Sequence, residues 1–154
     1  MVATTQTARF LPFLETSEES AVLATAPTKS FEIGQVVVDQ DVQMRTIFLI
    51  ETGAVRVERR EGSKMVPLAL LEAGEFFGEM SFIDGAPTSA RVIADQPTKL
   101  RLIDEATVNA LMEKDPSFAG RFYRSIAAIL AELLRLTSMH LDTLIEGIDF
   151  YSLT

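Results

Sequence analysis

The sequence predicts a mainly β domain with flanking helices, and two observations support this. Short runs of β-forming residues are separated by turns, and these turns carry glycines at positions 34, 53, 62, 74 and 85. Such spacing is typical of an all-β sandwich or barrel. The longer helix signals lie before and after this region. The 154 residues fit one domain that can bury a sizeable core.

The N-terminal part is expected to form a helical lead-in. Residues 1–9 are small and polar and are predicted to be disordered, so the folded domain is expected over residues 10–154. Thr16 and Glu19 have the spacing of a capping box. This pattern predicts a short helix that ends before Pro27, because the residue before a proline disfavours helical geometry.

The strands follow from about residue 30 onward. They are expected at 31–38, broken at Gly34, and at 46–50, 54–58 and 65–71, with a hairpin turn at Gly62. Pro67 cannot donate a ladder hydrogen bond and therefore predicts an edge strand or a bulge. Two later strands, at 89–94 and 98–103, are expected to pair with each other across the turn at residues 95–97.

The C-terminal part predicts two helices. Asp104 can cap a helix that runs to Asp115, and Pro116 separates it from a long helix over about 117–145. The long helix carries two apolar rows, Ile126, Ile129, Leu133, Leu136 and His140, and Leu130, Leu134, Thr137, Leu141, Leu144 and Ile148. One row can pack on the β domain. The other predicts a homodimer or, alternatively, a fold back onto Phe10, Phe13 and Leu14.

Composition excludes several functions. The chain has no cysteine and one histidine, His140, which leaves little for a metal site or a histidine-based catalytic site, and neither is expected. The net charge of −8 argues against a broad nucleic-acid-binding face. No apolar run approaches the length of a membrane span, and the first residues do not form a signal peptide. We therefore expect a cytoplasmic protein that binds neither membrane nor nucleic acid.

The stretch from Gly74 to Val92 is not a plain turn between strands. Gly78 precedes an acid, Glu79, and then a short apolar helical turn that ends at Asp84-Gly85. The start of such a turn presents main-chain N–H groups that form an anion-binding concavity. A carboxylate beside it accepts hydrogen bonds from hydroxyl groups. The stretch therefore favours a small ligand that carries both an anion and hydroxyls.

The segments Phe77-Gly78-Glu79-Met80-Ser81-Phe82 and Pro87-Thr88-Ser89-Ala90 resemble the phosphate-binding cassette of the cyclic nucleotide-binding domain family. That family includes the catabolite activator protein and the regulatory subunits of protein kinase A. The resemblance implies a double-stranded β-helix, a jelly-roll-like β-roll, with a helical lead-in and a long C-terminal helix. It also implies the ligand-binding residues Phe77, Gly78, Glu79, Met80, Ser81, Thr88, Ser89 and Ala90.

Position 88 departs from the family pattern, in which an arginine is the main phosphate contact. Thr88 can hydrogen-bond a phosphate but cannot neutralise it, so we expect weak or no binding of cyclic AMP or cyclic GMP. Strand alternation places Arg91 on the opposite face, which argues against it as a substitute. Ser89 can still offer its N–H group. Thr137 and Ser138 lie where family members contact the base, although a solvated or locally bonded role is more common.

The expected function is a small-molecule sensing module, not an enzyme, that transmits its ligand state through the C-terminal helix to a second subunit or a partner protein. The alternative is a ligand-independent dimerisation or protein-interaction module that has lost nucleotide binding. About nine residues follow Ile145, too few for a helix-turn-helix, so DNA binding by this chain is not expected.

Overall fold

The computed structural model describes the main chain of residues 11–152 and the side chains of residues 11–139. The predicted disordered lead-in, Phe10 and the side chains of His140, Leu141, Leu144 and Ile148 lie outside the described residues. In chain order the elements are α1 (Thr16–Thr25), β1 (Thr28–Phe31), β2 (Val36–Val38), β3 (Thr46–Thr52), β4 (Ala54–Glu61), β5 (Lys64–Glu72), β6 (Phe76–Phe77), α2 (Glu79–Asp84), β7 (Arg91–Ala94), β8 (Thr98–Asp104), α3 (Glu105–Lys114) and α4 (Pro116–Ser152).

The eight strands form two four-stranded antiparallel sheets, ordered β1-β8-β3-β6 and β2-β7-β4-β5. The mainly β fold with flanking helices is therefore confirmed. The predicted pairing of β7 with β8 is wrong, since these consecutive strands lie in different sheets. The reason is a corner where the chain crosses between the sheets. There Asp95 N–H donates to Ala54 O at 2.9 Å, and Ala54 N–H donates to Thr98 Oγ1 at 3.2 Å.

The β4–β5 hairpin forms one edge of the second sheet. Strand β5 pairs only with β4 in that sheet, and the ladder between the two strands shifts at Val57/Glu58, where Glu58 faces Pro67. The proline thus lies on an edge strand at a bulge, and both expectations for it are confirmed. The main-chain N–H that proline lacks is not needed at such a position.

The helix ends follow the capping signals, with one correction. Asp104 accepts a hydrogen bond from Thr107 N–H at 2.7 Å and begins α3, as predicted. At α1 the cap is Glu15, whose N–H donates to the Glu18 carboxylate at 3.0 Å. The predicted box of Thr16 and Glu19 was therefore one residue too late. Glu18 is also held by Arg121, and this ion pair fixes the start of α1 on α4.

The hydrophobic core has two parts, separated by the sheet β1-β8-β3-β6. Strand β3 contributes Ile47 and Leu49 to a cluster under the helices, and Phe48 and Ile50 to a cluster inside the roll. This alternation follows from the period of two along a strand. The helical cluster also contains Leu11, Leu14, Val22, Phe82, Ile103, Val108, Phe118, Phe122 and Ile126.

Only the first part of α4 packs on the domain. Ile126 is buried and Ile129 and Leu130 are half-buried, but every residue from 132 to 139 is exposed. The expectation that one whole row packs on the β domain is thus limited to its N-terminal members. The N-terminal segment lies against this same part, since Phe13 N–H donates to Ser125 Oγ at 2.9 Å. It therefore does not cover Leu134, which is 68% exposed.

Candidate ligand-binding site

A cavity of about 280 Å³ lies inside the β-roll, bordered by residues of both sheets, by α2 and by Leu133 of α4. Its volume lies near the lower end of typical ligand pockets. All eight residues that the sequence predicted as ligand-binding line this one cavity: Phe77, Gly78, Glu79, Met80, Ser81, Thr88, Ser89 and Ala90. Two separate stretches of sequence are thus brought together around one space.

The remaining walls are mostly apolar and were not singled out from the sequence. They comprise Val38, Met44, Phe48, Val57, Ala69, Leu71, Phe76, Val92 and Leu133. Inward alternation along β4 and β7 identifies Val57 and Val92 as inner-face residues, but it cannot say which inner residues border an empty space. Leu133 is the contribution of α4, so the long helix reaches the cavity.

Gly78 is the N-cap residue of α2. Its φ of 88° lies in the left-handed region, and a Cβ atom there would approach Thr46 O to 2.4 Å. A side chain is therefore excluded twice, by conformation and by space. Phe82 N–H donates to Gly78 O at 3.1 Å and closes the first turn. The N–H groups of residues 79–81 belong to that first turn and have no acceptor within the helix.

Glu79 is the one charged side chain that borders the cavity among the described residues. Burial raises the pKa of its carboxyl, and a hydrogen bond with its own main chain offsets this only in part. The described ion pairs do not include Glu79. Because an ionised carboxylate in an apolar surrounding lacks solvation, it favours a ligand that donates hydrogen bonds to it.

Thr88 is a structural link within the protein. Its hydroxyl donates to Asp39 O at 2.7 Å and accepts from Val42 N–H at 2.9 Å. Its main-chain N–H donates to Val42 O at 3.0 Å. The donors of Thr88 are therefore used within the loop before β3, and the expected hydrogen bond from this hydroxyl to a phosphate is not available in this conformation.

The cavity lacks a cationic side chain among the described residues that line it. Arg91 lies on the outer face, where its guanidinium is 3.0 Å from the Glu58 carboxylate. The prediction that strand alternation turns Arg91 away is confirmed. Thr137 and Ser138 do not line the cavity. The Thr137 hydroxyl donates to Leu133 O at 2.9 Å, in agreement with the locally bonded alternative.

The two sheets, the short helix at Gly78 and the half-open cavity form a β-roll with a candidate ligand pocket, and comparison with known proteins identifies its family. The chain belongs to the cyclic nucleotide-binding domain family, whose profile matches residues 28–115. The match covers more than half of the chain. The resemblance carried by the cassette is therefore confirmed.

Relatives and solved structures give the same family. A cyclic AMP receptor protein of Thermus thermophilus is 36% identical over 101 residues, which are 65% of this chain and 45% of that protein. The cyclic GMP-binding protein C of Dictyostelium discoideum is 30% identical over 115 residues, 74% of this chain and 4% of that protein. The crystal structure of the Thermus thermophilus catabolite activator protein superposes with a TM-score of 0.76 at 29% identity, covering 89% of this chain and 63% of that one. The chain thus spans less than half the length of the two curated relatives, the cyclic AMP receptor protein and the cyclic GMP-binding protein C.

Among the described residues, no helix is both long enough and apolar enough to cross a bilayer.

Proposed function

We propose that this domain is a small-molecule sensing module and that its ligand occupies the cavity beside Gly78. One observation carries the proposal: both halves of the cassette, residues 77–81 and 88–90, line the same cavity. A degenerate cassette that served only as a turn would not need to border a cavity. The mainly apolar walls and the few polar groups are also the usual composition of a ligand pocket.

We propose a cyclic nucleotide, cyclic AMP or cyclic GMP, as a weak ligand. Glu79 is suited to accept a hydrogen bond from a ribose hydroxyl, and the first-turn N–H groups of α2 are suited to a phosphate. Ser89 and Ala90 lie outside β7, so the strand ladder does not use their N–H groups. The missing arginine removes a charged hydrogen bond worth roughly 1.5–3 kcal/mol, or about ten- to a hundredfold in affinity.

Calorimetric titration of the wild type and Thr88→Arg with cyclic AMP and cyclic GMP tests this ligand. We expect weak wild-type binding and stronger binding by Thr88→Arg, because a guanidinium pairs bidentately with a phosphate. The variant also loses the hydroxyl bonds to Asp39 and Val42, so its thermal stability must be measured alongside. Thr88→Ser is the matched control, since it keeps the hydroxyl and adds no charge.

Two results would contradict parts of this proposal. Tight wild-type binding would contradict the expected weak affinity and show that position 88 matters less than argued. A folded Thr88→Arg protein that binds neither nucleotide would show that the cavity does not accept this class of ligand.

We further propose that α4 transmits the ligand state and forms a homodimer. Leu133 borders the cavity, while the next turns expose Leu134, Leu136 and Met139 at 68%, 53% and 65%. Burying one leucine contributes roughly 1.5–3 kcal/mol, so several such residues on each helix can offset an association cost of about 4–15 kcal/mol. Ligand then shifts the balance between two positions of the helix.

Light scattering tests the dimer. We expect a species of about twice the chain mass of 17.0 kDa at micromolar concentration. Leu134→Glu together with Leu141→Glu should dissociate it while the β-roll stays folded, as judged by circular dichroism. A 17.0 kDa wild type would reject the dimer.

The second candidate is a ligand-independent dimerisation or interaction module. The use of Thr88 as an internal link, and the absence of a cation among the described lining residues, favour this alternative. A stable dimer whose wild type and Thr88→Arg variant both fail to bind cyclic nucleotides would support it over the sensing function.

A further inference from the structure

By strand alternation, Arg59 lies on the same face of β4 as Val57, although Arg59 does not itself line the cavity. Strand β4 pairs regularly with β7, Val57 with Val92 and Glu58 with Arg91. Val57 and Val92 line the cavity, whereas Glu58 and Arg91 form an ion pair on the outer face. Because strand side chains alternate, Arg59 follows Val57 on the inner side, just where β7 gives way to Ser89 and Ala90.

A hydrogen bond fixes this position. Arg59 Nε donates to Ser89 O at 3.2 Å. Ser89 lines the cavity and directly follows Thr88, the position at which the family arginine is missing. The guanidinium of Arg59 is thus held beside the cassette, although it belongs to a different strand.

Among the described residues, Arg59 is also the half-buried arginine for which no acidic partner is found. Five arginines of the described residues are half-buried, and four of them pair with carboxylates. These four pairs are Arg56 with Glu58, Arg91 with Glu58, Arg101 with Glu51 and Arg121 with Glu18. The described hydrogen bonds of Arg59 leave both of its terminal nitrogens unused. A partly desolvated cation without a counter-charge favours an anionic ligand.

We propose that Arg59 supplies positive charge for the phosphate of a bound cyclic nucleotide and so offsets in part the loss of the arginine that position 88 lacks. This inference rests on the proposed function. The Nε–Ser89 bond anchors the side chain, and the two terminal nitrogens can then pair with two phosphate oxygens. The charge would thus come from strand β4 and not from the cassette itself.

Titration of Arg59→Gln with cyclic AMP tests the inference, and Arg60→Gln is the matched control. Arg60 follows Arg59 on the same strand and is exposed, so both variants lose one charge and differ in the face affected. We expect Arg59→Gln to weaken cyclic AMP binding about ten- to a hundredfold. Arg60→Gln should change it less than about twofold, and Arg59→Lys should retain part of the affinity because it keeps the charge.

Titration of the same variants with adenosine is the second measurement, since adenosine has the base and ribose but no phosphate. Equal loss of adenosine and cyclic AMP affinity in Arg59→Gln would overturn the inference, because Arg59 would then shape the cavity and not bind the phosphate. An unchanged cyclic AMP affinity in Arg59→Gln would overturn it too and leave the sensing function standing. A wild type that binds neither cyclic AMP nor cyclic GMP would overturn both.

Discussion

The two faces of the sheet β1-β8-β3-β6 carry similar apolar residues but are covered in different ways. On the helical face, Phe82, Phe118 and Phe122 fill the space. The ring centroid of Phe122 lies 5.9 Å from that of Phe82 and 5.8 Å from that of Phe118. On the roll face, Phe48 and Phe77 stack at 4.9 Å and leave a cavity of about 280 Å³ beside them. Stability should therefore depend mainly on the helical face, and ligand binding on the roll face.

The largest contrast should appear when the same substitution is made on each face. Leu14 is 1% exposed in the helical cluster, whereas Leu71 is half-buried and borders the cavity. Leu14→Ala should cost about 2–5 kcal/mol of unfolding free energy, because it opens a hole in a filled core. Leu71→Ala should cost clearly less, because one side of Leu71 already faces an empty space.

Urea denaturation of both variants measures this difference in unfolding free energy. Titration with cyclic AMP then measures how each substitution affects ligand affinity. Leu71→Ala should alter cyclic AMP affinity, while Leu14→Ala should not. Equal costs for the two substitutions would show that the cavity closes in solution and that the two faces are packed alike.

A smaller contrast is expected between two glycines, Gly78 at the start of α2 and Gly74. Gly78→Ala combines a left-handed residue, about 1–2 kcal/mol, with overlap against Thr46 O, about 1–3 kcal/mol. Gly74→Ala is the control, since Gly74 has a similar φ of 91° but open space at its Cβ position. The difference in unfolding free energy between the two variants isolates the overlap. Two equally stable variants would mean that the Thr46 strand end gives way freely.

The internal role of Thr88 should be visible in stability alone. Thr88→Val keeps the shape but leaves Asp39 O and Val42 N–H without the hydroxyl partner, at a cost of about 1–3 kcal/mol. Thr88→Ser keeps the hydroxyl and should cost less. Thermal unfolding without ligand measures both variants. A Thr88→Val protein as stable as the wild type would show that water replaces the hydroxyl, and that Thr88 is free to serve the ligand.

The fold was largely predictable because its signals are local. Turn glycines, the Asp104 cap and the bulge at Pro67 act within a few residues, and the cassette motif identified the β-roll. The pairing of β7 with β8 was predicted wrongly because the corner at Ala54 and Asp95 depends on bonds between residues that are distant in sequence. The apolar rows of α4 likewise did not show where its packed turns end, because that boundary depends on contacts with residues that are distant in sequence.

The candidate site was predictable in its residues but not in their contacts. All eight cassette residues border the cavity, yet sequence alone assigned the Thr88 hydroxyl to a ligand, while the structure assigns it to Asp39 and Val42. Arg59 was not singled out from the sequence. Strand alternation places it on the face opposite Arg56 and Arg60, but its nearness to Ser89 depends on the pairing of β4 with β7.

The smallest effect concerns Glu79, the charge on the roll face, and it depends on pH. Burial raises the pKa of the folded Glu79 carboxyl above its ordinary value of 4.5. Between these two values the folded state holds more protons than the unfolded state, so the contribution of Glu79 to stability falls as pH rises. Below the ordinary value the group is neutral in both states and costs nothing. Above the raised value the full cost of the buried charge is present.

Glu79→Gln should therefore be more stable than the wild type near pH 8, and the difference should vanish below about pH 4. Melting temperatures of both proteins across this range measure it, with Glu113→Gln on an exposed face of α3 as control. Cyclic AMP should bind the wild type less well as pH falls through the same window, because protonated Glu79 loses capacity to accept the ribose hydroxyl. A Glu79→Gln difference that persists unchanged at low pH would locate the effect in packing and not in charge. The roll face would then resemble the helical face, with no buried charge set aside for a ligand.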